Sequence, residues 1–260
     1  VWNRTPARTD EIARAGARVV ATPREVASSS DVIMTIVSDP PAVESILWGA
    51  DGVLAGLAPG STLIDSSTVS PPLARRAAAA CTERGADYLD APVTGGTWGA
   101  EKGELVFMVG GKPEVLARVQ PVLAAMGKKF FPLGGPGAGQ TVKLAMNALL
   151  ALQVNALAEA LALVMGAGIA GEKLVEVMQS SMARSPLLDL KAPLILAKNF
   201  APSFPLRLMH KDLGLAIDLA NQLGVPLPST ATAREVYNAV RGKATEDVDY
   251  AAVARFWMER

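Results

Sequence analysis

Over its first 133 residues the chain alternates short β-type runs with helical stretches, and this alternation restricts it to a sheet whose strands are joined by covering helices. The β-type runs are residues 1–2, 18–21, 31–37, 61–65, 86–90, 105–109 and 129–133. Helix-start chemistry lies between them. Thr5-Pro6 and Ser70-Pro71 each place a capping hydroxyl before a proline at the first helical position. Thr22, with Glu25 three residues on, makes a capping box. The expected architecture is α/β, a doubly wound parallel sheet.

The pattern changes at Gly134, Gly135, Gly137 and Gly139. Strand signals stop, and residues 141–166 are apolar on nearly every face. At 1.5 Å per residue such a helix is roughly 40 Å long, suited to linking two domains and to being covered on all sides. Helical segments at 172–180, 187–196, 211–222 and 231–241 follow, separated by breaks such as Phe204-Pro205 and Gly224-Val225-Pro226. The division expected is residues 1–136 for the sheet domain and 137–260 for an all-helical domain. With 260 residues, half of them hydrophobic, both can bury a core. The apolar run 144–165 approaches membrane-spanning length, but Asn147, Gln153, Asn155 and Glu159 are too many polar groups for a lone span. No membrane association is expected. Met146, Met165, Met178 and Met182 read as core filling.

Charge and rare residues exclude several functions. The 25 basic and 25 acidic residues balance, without the basic excess of a nucleic-acid binder. The one cysteine, Cys81, excludes a disulfide framework, reads as buried filler and fits a reducing, cytoplasmic setting. The one histidine, His210, cannot form a metal cluster alone and reads as a helix-start or surface residue.

A doubly wound dinucleotide-binding domain opens with a strand, a G-x-G-x-x-G turn and a helix that receives the pyrophosphate. This chain begins on what reads as the second strand, followed by Asn3-Arg4-Thr5 where a ribose-reading residue belongs. No G-x-G-x-x-G occurs within residues 1–136, and Gly134-Gly135-Pro136-Gly137-Ala138-Gly139 has the wrong spacing. The expectation is a chain without its first βα unit. That strand is normally central, so its loss exposes two sheet edges.

Four constellations can carry chemistry. The loop Asp90-Ala91-Pro92-Val93-Thr94-Gly95-Gly96 follows a β-run; its glycines leave N–H groups open and Thr94 adds a hydroxyl, together able to hold a carboxylate. A tight structural loop is the alternative. Lys143 and Asn147, four apart, share one face of the long helix. A lysine on an apolar helix either acts as general acid/base with its proton affinity lowered by burial, or snorkels from a helix end. Arg4, between Asn3 and Thr5, can pair with a 2′-phosphate and favours NADP over NAD; a solvated arginine is the alternative. Lys211-Asp212, read as beginning a helix, offers a cation to cofactor or substrate, or else a surface salt bridge.

Together these motifs resemble the β-hydroxyacid dehydrogenase family. The residues that carry the resemblance are Asp65-Ser66-Ser67-Thr68, the run from Asp90 to Gly96, Gly137-Ala138-Gly139-Gln140-Thr141-Val142-Lys143, and Phe204-Pro205-Leu206 leading to Lys211-Asp212-Leu213. The resemblance implies a Rossmann-type domain followed by a helical one, and reversible hydride transfer between NADP (or NAD) and a small carboxylate-bearing aldehyde or hydroxy acid. It implies that Lys143 is the catalytic lysine and Asn147 a substrate-positioning residue. Thr94, Gly95 and Gly96 match the substrate-carboxylate loop, with threonine where serine is usual. Thr68 and Lys211 match cofactor contacts, as does the segment Val37-Ser38-Asp39, and Arg4 matches the position that separates NADP from NAD users. Met146 replaces the first of a common Asn-Asn pair. A homodimer or homotetramer is implied. The rival readings are an imine reductase, which generally lacks the lysine, and a non-catalytic cofactor-binding scaffold of the same fold; an inert gene fragment is a third.

Overall fold

A computed structural model describes residues 1–242 and 247–258. The chain divides into two compact units, Val1–Lys143 and Leu144–Arg260.

The first unit is built on a six-stranded sheet: β1 (Val32–Thr35), β2 (Thr62–Asp65), β3 (Asp87–Asp90), β4 (Val93–Thr94), β5 (Leu105–Gly110) and β6 (Gly127–Gly134). β1, β2 and β3 pair in parallel, as do β5 and β6. The sheet is mixed, because β5 runs antiparallel to both β3 and β4. The residues after Asp90, expected as loop, turn back along β5, so Val93 and Thr94 face Phe107 and Val106 in a two-residue strand.

Alternation along the strands explains how helices cover both faces. Leu63 and Tyr88 enter one cluster with Val43 and Leu47 of the helix Pro40–Trp48 and with Leu73, Ala74 and Ala77 of the helix Pro71–Thr82. Their neighbours Ile64 and Leu89 point the other way, to Phe107 and to Val115, Val119 and Leu123 of the helix Pro113–Leu123. Each fully buried Leu, Ile or Phe contributes ~1.5–3 kcal/mol, so this two-sided core is the main stabilising term of the unit. Cys81 lies within it, and burial pushes its thiol up to about 12.

Two helix caps form as their sequences direct. Ser70 Oγ accepts from Leu73 N, and Thr22 Oγ1 accepts from Glu25 N while Glu25 Oε2 accepts from Ala21 N. The third does not: Thr5 makes no side-chain cap bond, and the short 3₁₀ turn Pro6–Thr9 follows instead. Neither residues 1–2 nor 18–21 form a strand. Their backbones still meet as parallel strands do, with the Val1 ammonium donating to Arg18 O at 2.6 Å and Val20 N to Val1 O at 3.0 Å.

The second unit is helical: Gly171–Gln179, Pro186–Leu196, Leu206–Leu223 and Pro228–Arg241 follow the long helix Ala138–Gly166. One stripe of that long helix, Leu144, Ala148, Ala151, Val154, Leu157 and Leu161, packs into a core with Ile195, Leu206, Met209, Leu213 and Tyr237. At the base of this core lies a buried ion pair. Lys191 Nζ sits 2.7 Å from Asp249 Oδ1, with the side chains 3% and 1% exposed. Asp249 also accepts from the N–H groups of Ser203, Phe204 and Ala251, and the ammonium lies 4.4 Å from the Tyr250 ring centre.

Four expectations change here. The long helix is not covered all round: Leu149 and Leu163 are 49% and 76% exposed, because a helix apolar on every face has more apolar surface than one chain's core can bury. Met146, Met165 and Met182 are exposed as well, and Met178 alone of the four packs on the core. The helix expected from Lys211 begins at Leu206, placing Lys211 and Asp212 in its second turn. His210 is buried rather than at the surface, and burial, with Arg241 and Arg234 nearby, lowers it to about 4, leaving the ring neutral at pH 7.

The start of the long helix is fixed by a residue from far upstream. Asp90, fully buried at the end of β3, accepts from Gly137 N at 2.7 Å and from Gln140 N at 2.9 Å. These are donors that a helix's own first turn cannot satisfy. Gly139 permits the approach: a Cβ there would lie 2.3 Å from Met108 O and 2.8 Å from Asp90 O. Burial raises the Asp90 carboxyl from 3.8 to about 6, outweighing the two N–H bonds that lower it, and Asp65 adds to the rise. The folded state therefore holds this proton more tightly than the unfolded chain. The group's contribution favours the fold at acid pH and is lost as pH rises from about 4 to about 6. We predict that the stability difference between wild type and Asp90→Asn shifts towards asparagine by on the order of 3 kcal/mol from pH 4 to pH 7, read from paired denaturant melts. A difference flat with pH would show an ordinary carboxyl.

Candidate active site

In a parallel sheet the chain leaves each strand at its carboxyl end into a crevice where ligands are held. Here the ends of β1, β2 and β3 are laced together by buried polar side chains. Asp65 Oδ1 accepts from Thr35 Oγ1 and from Ser67 N, both at 3.0 Å. Ser67 Oγ in turn accepts from Val37 N at 2.9 Å. The side chain of Gln140 closes the set: its Oε1 accepts from Val69 N at 3.0 Å and its Nε2 donates to Ser67 O at 2.8 Å.

Within this frame Thr68 stands apart. Residues 61–67 and Val69 are buried, whereas Thr68 keeps partial access to solvent. A threonine with a solvent-facing side, set in a rigid buried run at a strand end, suits contact with a bound molecule. The segment Val37-Ser38-Asp39 is more occupied with its own structure. Asp39 Oδ1 caps the helix Pro40–Trp48 by accepting from Ala42 N, and Ser38 Oγ donates to Asp39 Oδ2. Asn3, Arg4 and Thr5 are exposed, with Asn3 Oδ1 accepting from Thr5 N. That turn leaves the Arg4 guanidinium at the surface.

The loop at Thr94, Gly95 and Gly96 has the geometry its glycines imply. Gly95 and Gly96 adopt φ of 131° and 61°, backbone that other residues rarely reach. Both are exposed, Thr94 is half-buried beside them, and the helix Gly96–Glu101 starts at this turn. Trp98 on that helix is 59% exposed, with Lys102 Nζ 4.2 Å from its ring centre.

The long helix carries the lysine and the asparagine. Lys143 is 8% exposed and Asn147 2%, one turn further on. Lys143 is thus a buried residue and not a snorkelling one. In the helical unit Asn147 Nδ2 donates to Asp212 Oδ2 at 2.6 Å, and Lys211 Nζ lies 3.0 Å from Asp212 Oδ1. Asp212, 1% exposed, orients both. Asn147 turns its amino group to this carboxylate, which fixes which way round the amide lies.

Asp65, Asp90, Gln140 and Asp212 hold these residues in place, yet the sequence assigns none of them a role. For Asp65 and Asp90 the signal was a polar residue closing an apolar run, Thr62-Leu63-Ile64-Asp65 and Asp87-Tyr88-Leu89-Asp90. Among the described residues no group of three or more His, Cys, Asp or Glu is placed to hold a metal ion.

The donor set fits a nicotinamide dinucleotide in part. Thr68 at the end of β2 and the free guanidinium side of the Asn3-Arg4-Thr5 turn are polar, accessible and set on rigid supports, as ribose and phosphate contacts must be. No G-x-G-x-x-G turn follows a strand within residues 1–143.

Comparison with known proteins agrees with this reading. Residues 1–135 match the NAD-binding domain of 6-phosphogluconate dehydrogenase, and residues 137–257 match the NAD-binding domain of NADP-dependent 3-hydroxyisobutyrate dehydrogenase. The chain is 38% identical to 2-(hydroxymethyl)glutarate dehydrogenase of Eubacterium barkeri over 93% of its length and 81% of that protein. It is 37% identical to 2-hydroxy-3-oxopropionate reductase of Escherichia coli K12, over 95% and 84%. Its fold matches Mycobacterium tuberculosis 3-hydroxyisobutyrate dehydrogenase, solved with L-serine, at a TM-score of 0.88 and 32% identity, covering 98% of this chain and 88% of that one. An imine reductase from Myxococcus stipitatus is more distant, at 19% identity and a TM-score of 0.63, and shares the fold alone. The chain belongs to the β-hydroxyacid dehydrogenase family, NAD(P)-dependent oxidoreductases that interconvert small hydroxy acids and their semialdehydes.

Proposed function

We propose that the protein is an NADP-preferring reductase of small carboxylate-bearing semialdehydes, with Lys143 as its general acid and Asn147 as the residue that positions the reacting oxygen. The observation that carries this reading is the burial of Lys143 and Asn147 one turn apart on a single helix whose first turn is pinned by Asp90.

A nicotinamide cofactor held here would supply the hydride in reduction and take it up in oxidation. Lys143 Nζ delivers a proton to the carbonyl oxygen as that oxygen gains charge, and accepts it back in the reverse direction. Asn147, its amino group held by Asp212, orients that oxygen. Thr94 Oγ1 and the open N–H groups of Gly95 and Gly96 receive the substrate carboxylate. Thr68, Lys211 and the backbone of Val37-Ser38-Asp39 contact the cofactor, while Arg4, with Asn3 and Thr5 beside it, pairs with the 2′-phosphate. The exposed apolar stripe along the long helix supports a homodimer or homotetramer, and the lone buried Cys81 supports a reducing, cytoplasmic setting.

The test is NADPH oxidation with glyoxylate, succinic semialdehyde, tartronate semialdehyde and methylmalonate semialdehyde. Lys143→Ala is expected to lower kcat by about 10²–10⁴-fold while leaving NADPH affinity near wild type. Undiminished turnover in that variant would remove the lysine from the mechanism. Arg4→Ala is expected to raise the KM for NADPH by about tenfold and to leave that for NADH unchanged, the loss of about one charge-assisted hydrogen bond. Equal effects on the two cofactors would show that Arg4 does not read the 2′-phosphate.

A further inference from the structure

Gln140 reaches across more than 70 residues of sequence to grip the backbone on both sides of Thr68. Its Oε1 accepts from Val69 N at 3.0 Å, and its Nε2 donates to Ser67 O at 2.8 Å. The side chain is fully buried. The carboxamide therefore acts as one peptide unit of a ladder, matching an N–H and a C=O that flank a single residue. Its orientation is unambiguous, because only the oxygen can face an N–H and only the amino group a carbonyl. The backbone N–H of the same Gln140 is held by Asp90, and Lys143 follows three residues later on the same helix.

We infer that Gln140 is a positioning residue for the cofactor: it sets the conformation of Thr68 and locks the loop that presents it to the helix bearing Lys143. The inference rests on the reading of Thr68 as a cofactor contact. The buried amide is the means. Without it, Val69 N and Ser67 O lose these partners in a dry environment, and the loop shifts to satisfy them elsewhere. Glutamate at this position separates a specific pairing from general packing. In its protonated form it is a near isostere, its O–H donating to Ser67 O. Ionised, it turns an anionic oxygen on that carbonyl.

The experiment compares Gln140→Leu, Gln140→Glu and Thr68→Val with wild type in two measurements. One is NADP⁺ affinity by calorimetry at pH 5 to 8, each variant taken as a ratio to wild type at the same pH. The other is hydrogen exchange of the Val69 amide without cofactor. Gln140→Leu is expected to raise the NADP⁺ Kd about tenfold, the equivalent of one net hydrogen bond, and to speed Val69 exchange in a folded protein. Gln140→Glu is expected to match wild type near pH 5 and to lose affinity as the pH rises. If Thr68→Val weakens NADP⁺ while both Gln140 variants bind as wild type at every pH, the positioning role is overturned and the Thr68 contact stands. If Thr68→Val leaves affinity unchanged, the cofactor reading of Thr68 fails and the inference falls with it. A pH-independent loss in Gln140→Glu equal to that in Gln140→Leu would reduce Gln140 to a packing residue and overturn the inference.

Discussion

The carboxylate of Asp90 is the contact on which the rest of the site depends. It joins the end of a central strand to the first turn of the long helix, and both of its oxygens are spent on that turn's N–H groups. A helix start needs partners for its first amides, and a strand end needs something to close the core beneath it. One buried side chain meets both needs. The cost shows in the carboxyl itself, which burial pushes up to about 6. Lys143 therefore sits on a helix whose origin is set by the sheet, and its position follows from strand geometry rather than from a flexible loop.

The candidate functional groups and their supports fall into two kinds. Thr68, Arg4 and the turn at Gly95 and Gly96 keep solvent access. Asp65, Ser67, Gln140 and Asp212 are buried and bond to backbone or to neighbouring side chains. The second kind outnumbers the first at the carboxyl ends of β1–β3. Precise placement of a few exposed atoms takes many satisfied hidden ones. Asp39 shows the boundary between the two: it matches a cofactor segment in sequence, yet one of its oxygens caps a helix.

What the sequence revealed and what it hid follow from the range of the interactions. Five of the seven expected strands were legible because apolar runs bounded by Gly and Pro carry a local signal, and the shared face of Lys143 and Asn147 was legible because helical spacing is local too. The antiparallel return of Val93 and Thr94 onto β5 was not, since nothing within those two residues specifies their partners Phe107 and Val106. The long helix begins at Ala138 and not at 141 because its first turn is completed by Asp90, 47 residues from Gly137. The helix holding Lys211 starts at Leu206 because Pro205, read as a break, serves as its cap position. His210 was misplaced for a related reason: a lone polar residue on an amphipathic helix is assigned to the surface by pattern, and tertiary packing decided otherwise.

The pair of Lys191 and Asp249 constrains how this protein can change. Both charges lie in the dry interior, and three backbone amides also depend on the aspartate. Losing either partner alone strands the other, which costs ~3–5 kcal/mol, a large part of the stability of an ordinary domain. The two sites, 58 residues apart, are thereby bound to a shared history: drift at one is barred unless the other changes in the same step. The segment after the helix Pro228–Arg241 carries Asp249. Its aspartate makes it an internal counterion, and shortening the chain before that residue would leave an ammonium with no charge to answer it.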